Sequence, residues 1–334
     1  MATFKRGAFI EATLRTILPQ LTDDVELVVV DGASPDCTPD VVGRLIEEGA
    51  PIRYFREPVN SGIDGDYDKA VGYARGEHCW LMPDDDWLRP NAIARILEAV
   101  ARGPELVVVN AEVRDATMRR VLNPSLLACR DDHGWGRGDT DALFRETAGY
   151  LSFIGGVVIR RDRWMARERA RYHGSLFIHM GVIFQTPPLE RVWVIAEPLI
   201  VIRYGNAMWT PRSFEIWMFL WPDLVWSFTS VGEVARSHVV AREPWRSPRV
   251  LLYYRAIGAY GPEAFERFLA SRLRGLERWR ARLIAALPLP FANLVAVGWL
   301  LTQGERALQN LVDLLAVPSA HASRLLARLV GRGG

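Results

Sequence analysis

An α/β fold is predicted, a Rossmann-like, mostly parallel sheet flanked by helices and followed by a helical C-terminal region. Three observations predict it. β-Branched apolar runs alternate with capped helical segments through the first third of the chain. Two of those runs end in acidic loops. The second half instead gathers tryptophans and a long uncharged stretch behind an arginine-rich segment.

Val25–Val30 is apolar but for Glu26, as expected of a strand whose body is buried on both faces of a parallel sheet. Thr38-Pro39-Asp40 then offers an N-cap, a proline at N1 and a first-turn acid, so Val41–Glu48 is predicted helical, stopped by Gly49. Ile52–Phe55 reads as a strand, Asp66–Arg75 as a helix ending at Gly76, and His78–Met82 as a strand. Pro90 opens a helix to Arg102, and Glu105–Val109 supplies a further strand. Ligands of such sheets lie beyond the carboxyl ends of the strands, which directs attention to the loops after Val30 and Met82.

Length and composition set the outer bounds. At 334 residues the chain exceeds one usual core, so two domains are expected, 1–210 and 211–334. With 49% hydrophobic and 24% charged residues it is neither disordered nor fibrous, and a net charge of +2 gives no reason to expect nucleic acid. All but Lys5 and Lys69 of its 41 basic residues are arginine, which reads as coding bias rather than a phosphate-binding surface. Cys37, Cys79 and Cys129 share no metal-ligand spacing with one another and fit reduced thiols in the cytosol. Met1 to Arg15 lacks the apolar core of a signal peptide, so a cytoplasmic location is expected.

The acidic loops carry the chemistry. Asp84-Asp85-Asp86 follows the predicted strand ending at Met82. Adjacent carboxylates at the end of a buried strand raise one another's pKa unless a cation lies among them. Mg²⁺ or Mn²⁺ suits such oxygen ligands and completes its shell with water and substrate phosphates. The competing reading is a solvated acidic turn before the helix at Pro90.

Four motifs, in order, resemble family-2 glycosyltransferases. Asp31-Gly32-Ala33-Ser34-Pro35-Asp36-Cys37-Thr38 is similar to their D-D-x-S-x-D-x-T loop, and Asn60-Ser61-Gly62 to their N-x-G turn. Ala74-Arg75-Gly76-Glu77, running through Trp80-Leu81 into the three aspartates, resembles their A-x-G-E block and DxD. Gly62-Ile63-Asp64-Gly65-Asp66-Tyr67-Asp68 resembles the abequosyltransferase-like subset that acts in O-antigen assembly. The resemblance implies a GT-A fold and a metal-dependent, inverting transfer of a sugar, a deoxyhexose in that subset, from a nucleotide-sugar donor. It implies donor contacts from Thr3, Asp31, Ser34, Asn60, Gly62, Asp64, Asp68, Asp84 and Asp85. The metal ligands fall among Asp84, Asp85 and Asp86, in one of two registers: Asp85 under D-x-D-D, or Asp84 and Asp86 under DxD. An EF-hand reading of Asp64, Asp66 and Asp68 fails, because Lys69 and Arg75 stand where the loop's glycine and final glutamate belong; acids favouring a helix N-terminus are the competing reading.

The chain departs from the family pattern in two places. Thr3-Phe4-Lys5-Arg6 matches only the turn after the family's first strand, so that strand is expected to be missing, through a shortened gene model. Gly155-Gly156-Val157-Val158-Ile159-Arg160-Arg161 matches a family strand, but Tyr172–Met180 carries no acidic pair. His179 falls where the family's catalytic aspartate is expected and becomes the candidate general base, a buried core histidine being the alternative. His173, Glu168 and Asp162 are poorer candidates.

Glu197–Tyr204 resembles the strand closing family catalytic domains, and Trp209 beyond it is a candidate acceptor contact. Arg267–Arg282 is basic, and no charge follows from Leu283 until Glu305. About 20 apolar residues span a bilayer, but Pro288, Pro290, Asn293 and Gln303 interrupt this stretch, which suits a segment lying in the membrane interface or a packed helical hairpin. The expected partners are therefore a nucleotide-sugar donor, a glycan or lipid-linked saccharide acceptor, and the inner face of the cell membrane. The competing functions are a nucleotidyltransferase, whose Gly- and Lys-rich phosphate loop is not seen, and a non-catalytic nucleotide-sugar binder.

Overall fold

A computed structural model describes residues 1–206, 212–302, 308–318 and 320–329. The chain divides into two compact units, Met1–Arg203 with Leu224–Val239, and Tyr204–Asp223 with Val240–Gly334.

After a short first strand that was not expected, the first unit follows the predicted alternation. β1 (Ala2–Thr3), α1 (Ile10–Ile17), β2 (Leu27–Asp31), α2 (Thr38–Glu47), β3 (Ile52–Arg56) and α3 (Gly62–Tyr73) follow in order. β1, β2 and β3 form a wholly parallel sheet in that order. The first strand is thus present, as two residues. Its two residues pair with Val30 and Asp31, and the Met1 amino group continues the ladder to the Val28 carbonyl (2.9 Å). A cavity of about 300 Å³ lies among Met1, Val28, Val71, Cys79, Leu81 and Met82, and among the described residues no strand joins this sheet to the next.

β4 (His78–Trp80), β5 (Trp87–Leu88), α4 (Ala92–Val100), β6 (Leu106–Arg114), β7 (Val121–Asn123), β8 (His133–Trp135), α5 (Thr140–Thr147), β9 (Val157–Arg160), α6 (Arg161–Ala166), α7 (Ile178–Phe184) and β10 (Val192–Arg203) complete the sequence of elements up to Arg203. Their sheet is mixed, in the order β4-β9-β6-β10-β5, with β7 on β6 and β8 on β10. The expectation of mostly parallel pairing fails here for a topological reason. β4 and β6 run parallel, joined through α4, but they are not neighbours; β9 enters between them and is antiparallel to both. The apolar runs Val28–Val30 and Leu106–Val109 are buried throughout, and α1, α2 and α4 pack their apolar faces over one core with them.

The second unit is helical. α8 (Ser213–Glu215) passes through a π turn (Ile216–Leu220) into α9 (Trp221–Ser227), which with α10 (Glu233–Val239) falls largely in the first unit. α11 (Pro248–Ala256), α12 (Pro262–Ala264), α13 (Gly275–Ala286), α14 (Leu289–Leu301), α15 (Leu308–Ala316) and α16 (His321–Leu329) follow. Phe214, Phe219, Trp245, Tyr254, Tyr260 and Phe265 make an aromatic core, so much of this unit's aromatic content is packing. Asn293, which interrupts the apolar stretch, is buried and donates to the Ala256 and Leu314 carbonyls (3.0 and 2.8 Å). Among the described residues no single helix is long and apolar enough to cross a membrane; α13 and α14 qualify only as a pair, bent by 99°.

Candidate active site

The loops predicted to carry chemistry are stitched together backbone to side chain. After β1, the amide of Lys5 donates to Ser34 Oγ (3.0 Å), that of Arg6 to Thr38 Oγ1 (3.0 Å) and that of Gly7 to Asp36 Oδ2 (3.1 Å). After β2, Asp31 is buried; Oδ1 accepts the Ser34 amide (2.7 Å) and Oδ2 the Tyr54 hydroxyl (2.5 Å). Asp31 and Ser34 therefore shape the loop as well as border it. The Asp36–Thr38 end of the motif holds the turn that presents Arg6.

α3 begins at Gly62, earlier than the predicted Asp66, so Asp64, Asp66 and Asp68 all lie on one helix. At 3.6 residues per turn, Asp64 and Asp68 share a face and Asp66 faces away from them. Asp64 accepts three amides, from Gly174 and Leu176 (2.8 Å each) and Ile178 (3.0 Å), capping α7 from a distance. Asp68 accepts the Trp164 indole (2.9 Å) and pairs with Arg169 (2.8 Å). Both carboxylates bind the 164–178 segment, whereas the sequence reading assigned them to the donor. Asp66 is the acid turned toward the donor loops. It takes the Ser61 hydroxyl (2.5 Å), and its Oδ2 lies 2.4 Å from where a Cβ on Gly32 would stand, so a side chain there would displace the carboxylate. Asn60 closes the same corner; its Oδ1 takes the Gly62 amide (2.7 Å).

Two of the three aspartates after β4 meet Arg6. Its Nη2 lies 3.1 Å from Asp85 Oδ2 and its Nε 3.5 Å from Asp84 Oδ1. Asp86 instead accepts the Arg203 amide at the end of β10 (2.8 Å), while Arg203 Nε donates to the Asp85 carbonyl (3.1 Å). Burial, then repulsion from Asp85, raises Asp84 to about 7 against the pull of Arg6, and the same two causes hold Asp86 well above the usual carboxylate range. Buried Thr3 lies beside Asp84 and favours its ionised form. Pro83, which starts this loop, is backed by Gly155, where a Cβ would stand 2.9 Å from the proline ring and closer still to Phe153. Clustered hard oxygen ligands, buried and mutually repelling, fit a divalent cation of the Mg²⁺ or Mn²⁺ kind.

His179 is displaced from the role expected of it. It is 1% exposed, and Nε2–H donates to the Leu151 carbonyl (2.7 Å). Burial lowers its pKa to about 4. It is a core histidine, closed to any acceptor. His173, on the same segment, has a half-exposed side chain whose Nε2 lies 3.4 Å from Asp68. Trp209 lies outside the described residues. Sequence reasoning passed over Arg6, which stands in a turn; it weighed Asp66 only together with Asp64 and Asp68 and could not tell the three apart, because the helix start was set four residues late.

Comparison with known proteins adds the family. Residues 1–157 match the model of glycosyl transferase family 2. The abequosyltransferase RfbV of Salmonella typhimurium is 24% identical over 225 residues, 61% of this chain and 65% of that protein. A GalNAc(5)-diNAcBac-PP-undecaprenol β-1,3-glucosyltransferase of Campylobacter jejuni is 29% identical over 102 residues, 30% of this chain and 33% of that one. The chain thus spans less than two thirds of either relative. Among solved structures, S. aureus TarS 1–349 with UDP-GlcNAc superposes with a TM-score of 0.53 at 14% identity, covering 96% of this chain and 90% of that one. The Pyrobaculum calidifontis mannosyltransferase PcManGT with GDP-Man and Mn²⁺ gives 0.50 at 16%, covering 98% and 85%. These likenesses establish a GT-A fold.

Proposed function

We propose that this chain, whose residues 1–157 match the model of glycosyl transferase family 2, is a glycosyltransferase that moves a sugar, with inversion, from a nucleotide-sugar donor to a lipid-linked saccharide in polysaccharide biosynthesis. The observation that carries the proposal is Arg6. Its backbone is bound to the loop after β2 and its side chain to the acids after β4, so the two halves of a donor site meet at one residue.

Asp84 and Asp85, the acids that share Arg6, would hold a divalent cation, with Asp86 anchored to Arg203 behind them. Bound there, such an ion neutralises the departing diphosphate. Asp31, Asn60 and Asp66 border the pocket for the nucleoside and sugar. With His179 in the core, His173 is the titratable side chain of the 172–178 segment that solvent reaches, and it takes the acceptor's proton with Asp68 steadying its cation.

The lipid-linked acceptor accords with the second unit. Leu276, Trp279 and Leu283 on α13 and Phe291, Val295 and Trp299 on α14 are exposed, and arginines 272, 274, 278, 280 and 282 neighbour or interleave with the first set. Apolar side chains beside arginines suit an anionic bilayer surface. A second reading, a nucleotide-sugar binder without turnover, is favoured by the missing acidic pair. A panel of nucleotide sugars, assayed with Mn²⁺ and undecaprenyl-linked saccharides for release of nucleoside diphosphate, separates the two. Saturable donor binding with no release from any donor would favour the binder.

A further inference from the structure

Away from the donor site, a histidine, a cysteine and a glutamate converge on one point of the first unit. Cys129, His133 and Glu146 each aim a ligand atom so that all three atoms lie within 4.8 Å of one another. Cys129 stands on the loop into β8, His133 four residues on opens that strand, and Glu146 lies on α5. We propose that these three residues form a site for Zn²⁺ or a cation of the same borderline softness.

The hydrogen bonds around the cluster argue for a cation in it. His133 Nδ1 lies 3.0 Å from the Asp131 carbonyl, which can only accept, so Nδ1 carries a hydrogen. His133 Nε2 then faces Glu146 Oε2 at 3.1 Å, and two lone pairs at that separation repel unless something positive lies between them. A proton can do so, making an ion pair. A metal does so while also using the cysteine sulfur, which the ion pair leaves idle. The surroundings match an outer shell as well. The Asp131 carbonyl fixes the imidazole tautomer that ligates through Nε2, and the Trp135 indole donates to Glu146 Oε2 (2.8 Å), orienting the carboxylate. One thiolate, one imidazole and one carboxylate are within zinc's usual set, and partial exposure of all three leaves water to complete a tetrahedron. On binding, the Cys129 thiol gives its proton to solvent and its sulfur donates the freed electron pair to the metal.

The test uses the full chain, stripped with a chelator and titrated with Zn²⁺ against a chromophoric competitor, and separately with Co²⁺. One equivalent of Zn²⁺ is expected, with a thiolate-to-cobalt charge-transfer band in the near ultraviolet. Cys129→Ser should abolish the band, and both it and His133→Gln should weaken Zn²⁺ binding at least tenfold. Asp84→Asn with Asp85→Asn should leave both signals in place, which separates this site from the donor site. Absence of saturable binding, or a band that survives Cys129→Ser in a protein of unchanged circular dichroism, overturns the proposal. Neither readout depends on glycosyl transfer.

Discussion

Asp64 and Asp66, two residues apart on α3, serve opposite sides of the helix: Asp64 binds the amides of Gly174, Leu176 and Ile178, while Asp66 lies against Gly32 in the loop after β2. The pair therefore separates folding from binding. Asp64→Ala strands three amides, and at about 1 kcal/mol or more for each buried donor left unmade the loss should reach roughly 3 kcal/mol. Asp66→Asn is nearly isosteric at a site where burial already favours the neutral acid, so stability should hold or rise. Nucleoside diphosphate affinity should instead fall about tenfold, the order of one lost hydrogen bond. Urea unfolding and calorimetric titration of both variants check this; equal losses of stability would refute the division.

The acids after β4 make a pH prediction of definite sign. Asp84's folded pKa of about 7 lies above its ordinary 3.8, so its stabilising contribution is complete below pH 3.8 and lost as pH rises toward 7. At 1.36 kcal/mol per unit, the loss is on the order of 4 kcal/mol. Divalent cations bind the ionised form and should restore the difference. The gain in Tm from Mn²⁺ is expected to be several degrees larger at pH 8 than at pH 5.5, and to vanish in Asp84→Asn with Asp85→Asn. A gain that is independent of pH would count against these acids as the metal site.

His179 titrates in the other direction. Its folded pKa of about 4 lies below the usual 6.5, so its contribution is present above pH 6.5 and lost as pH falls toward 4. The span corresponds to about 3 kcal/mol. His179→Gln should flatten this acid limb of stability while leaving the pH profile of kcat unchanged. His173→Gln should do the reverse, lowering kcat by 10²-fold or more, the scale of general-base catalysis. If His179→Gln removes the kinetic pH limb and His173→Gln does not, the base has been misassigned here.

What the sequence disclosed follows its periodicities. Val28–Val30 and Leu106–Val109 are apolar without alternation, and both are buried strands, because strands covered on both faces leave no room for polar residues. Orientation was less legible. Nothing local to Val157–Arg160 says that it runs antiparallel between β4 and β6, since pairing direction is fixed by the route of the chain. At the site, the residue types were visible but their facing was not. Moving the start of α3 from Asp66 to Gly62 turns Asp64 and Asp68 toward 164–178 and leaves Asp66 for the donor loops. Arg6 escaped notice because its meaning lies in two contacts distant in sequence, with Thr38 and with Asp84 and Asp85.

The exposed tryptophans of the second unit give the last prediction. Trp279 is 58% exposed on α13, and Trp299, 60% exposed, on α14. Such exposure is costly in water, since burying a large apolar side chain is worth roughly 1.5–3 kcal/mol. Neither ring belongs to the aromatic core built by Phe214, Tyr254 and Tyr260, so replacing them should leave the fold intact. Trp279→Ser with Trp299→Ser should reduce binding to vesicles containing phosphatidylglycerol by at least tenfold, with unchanged Tm and unchanged nucleoside diphosphate affinity. Replacing Arg278 and Arg282 by Gln should act differently, weakening binding at low salt and mattering little at 1 M, where charge interactions are screened within about 3 Å. Should the double tryptophan variant sediment with vesicles as the parent does, the face on α13 and α14 serves something other than lipid, and the acceptor must reach the donor site without it.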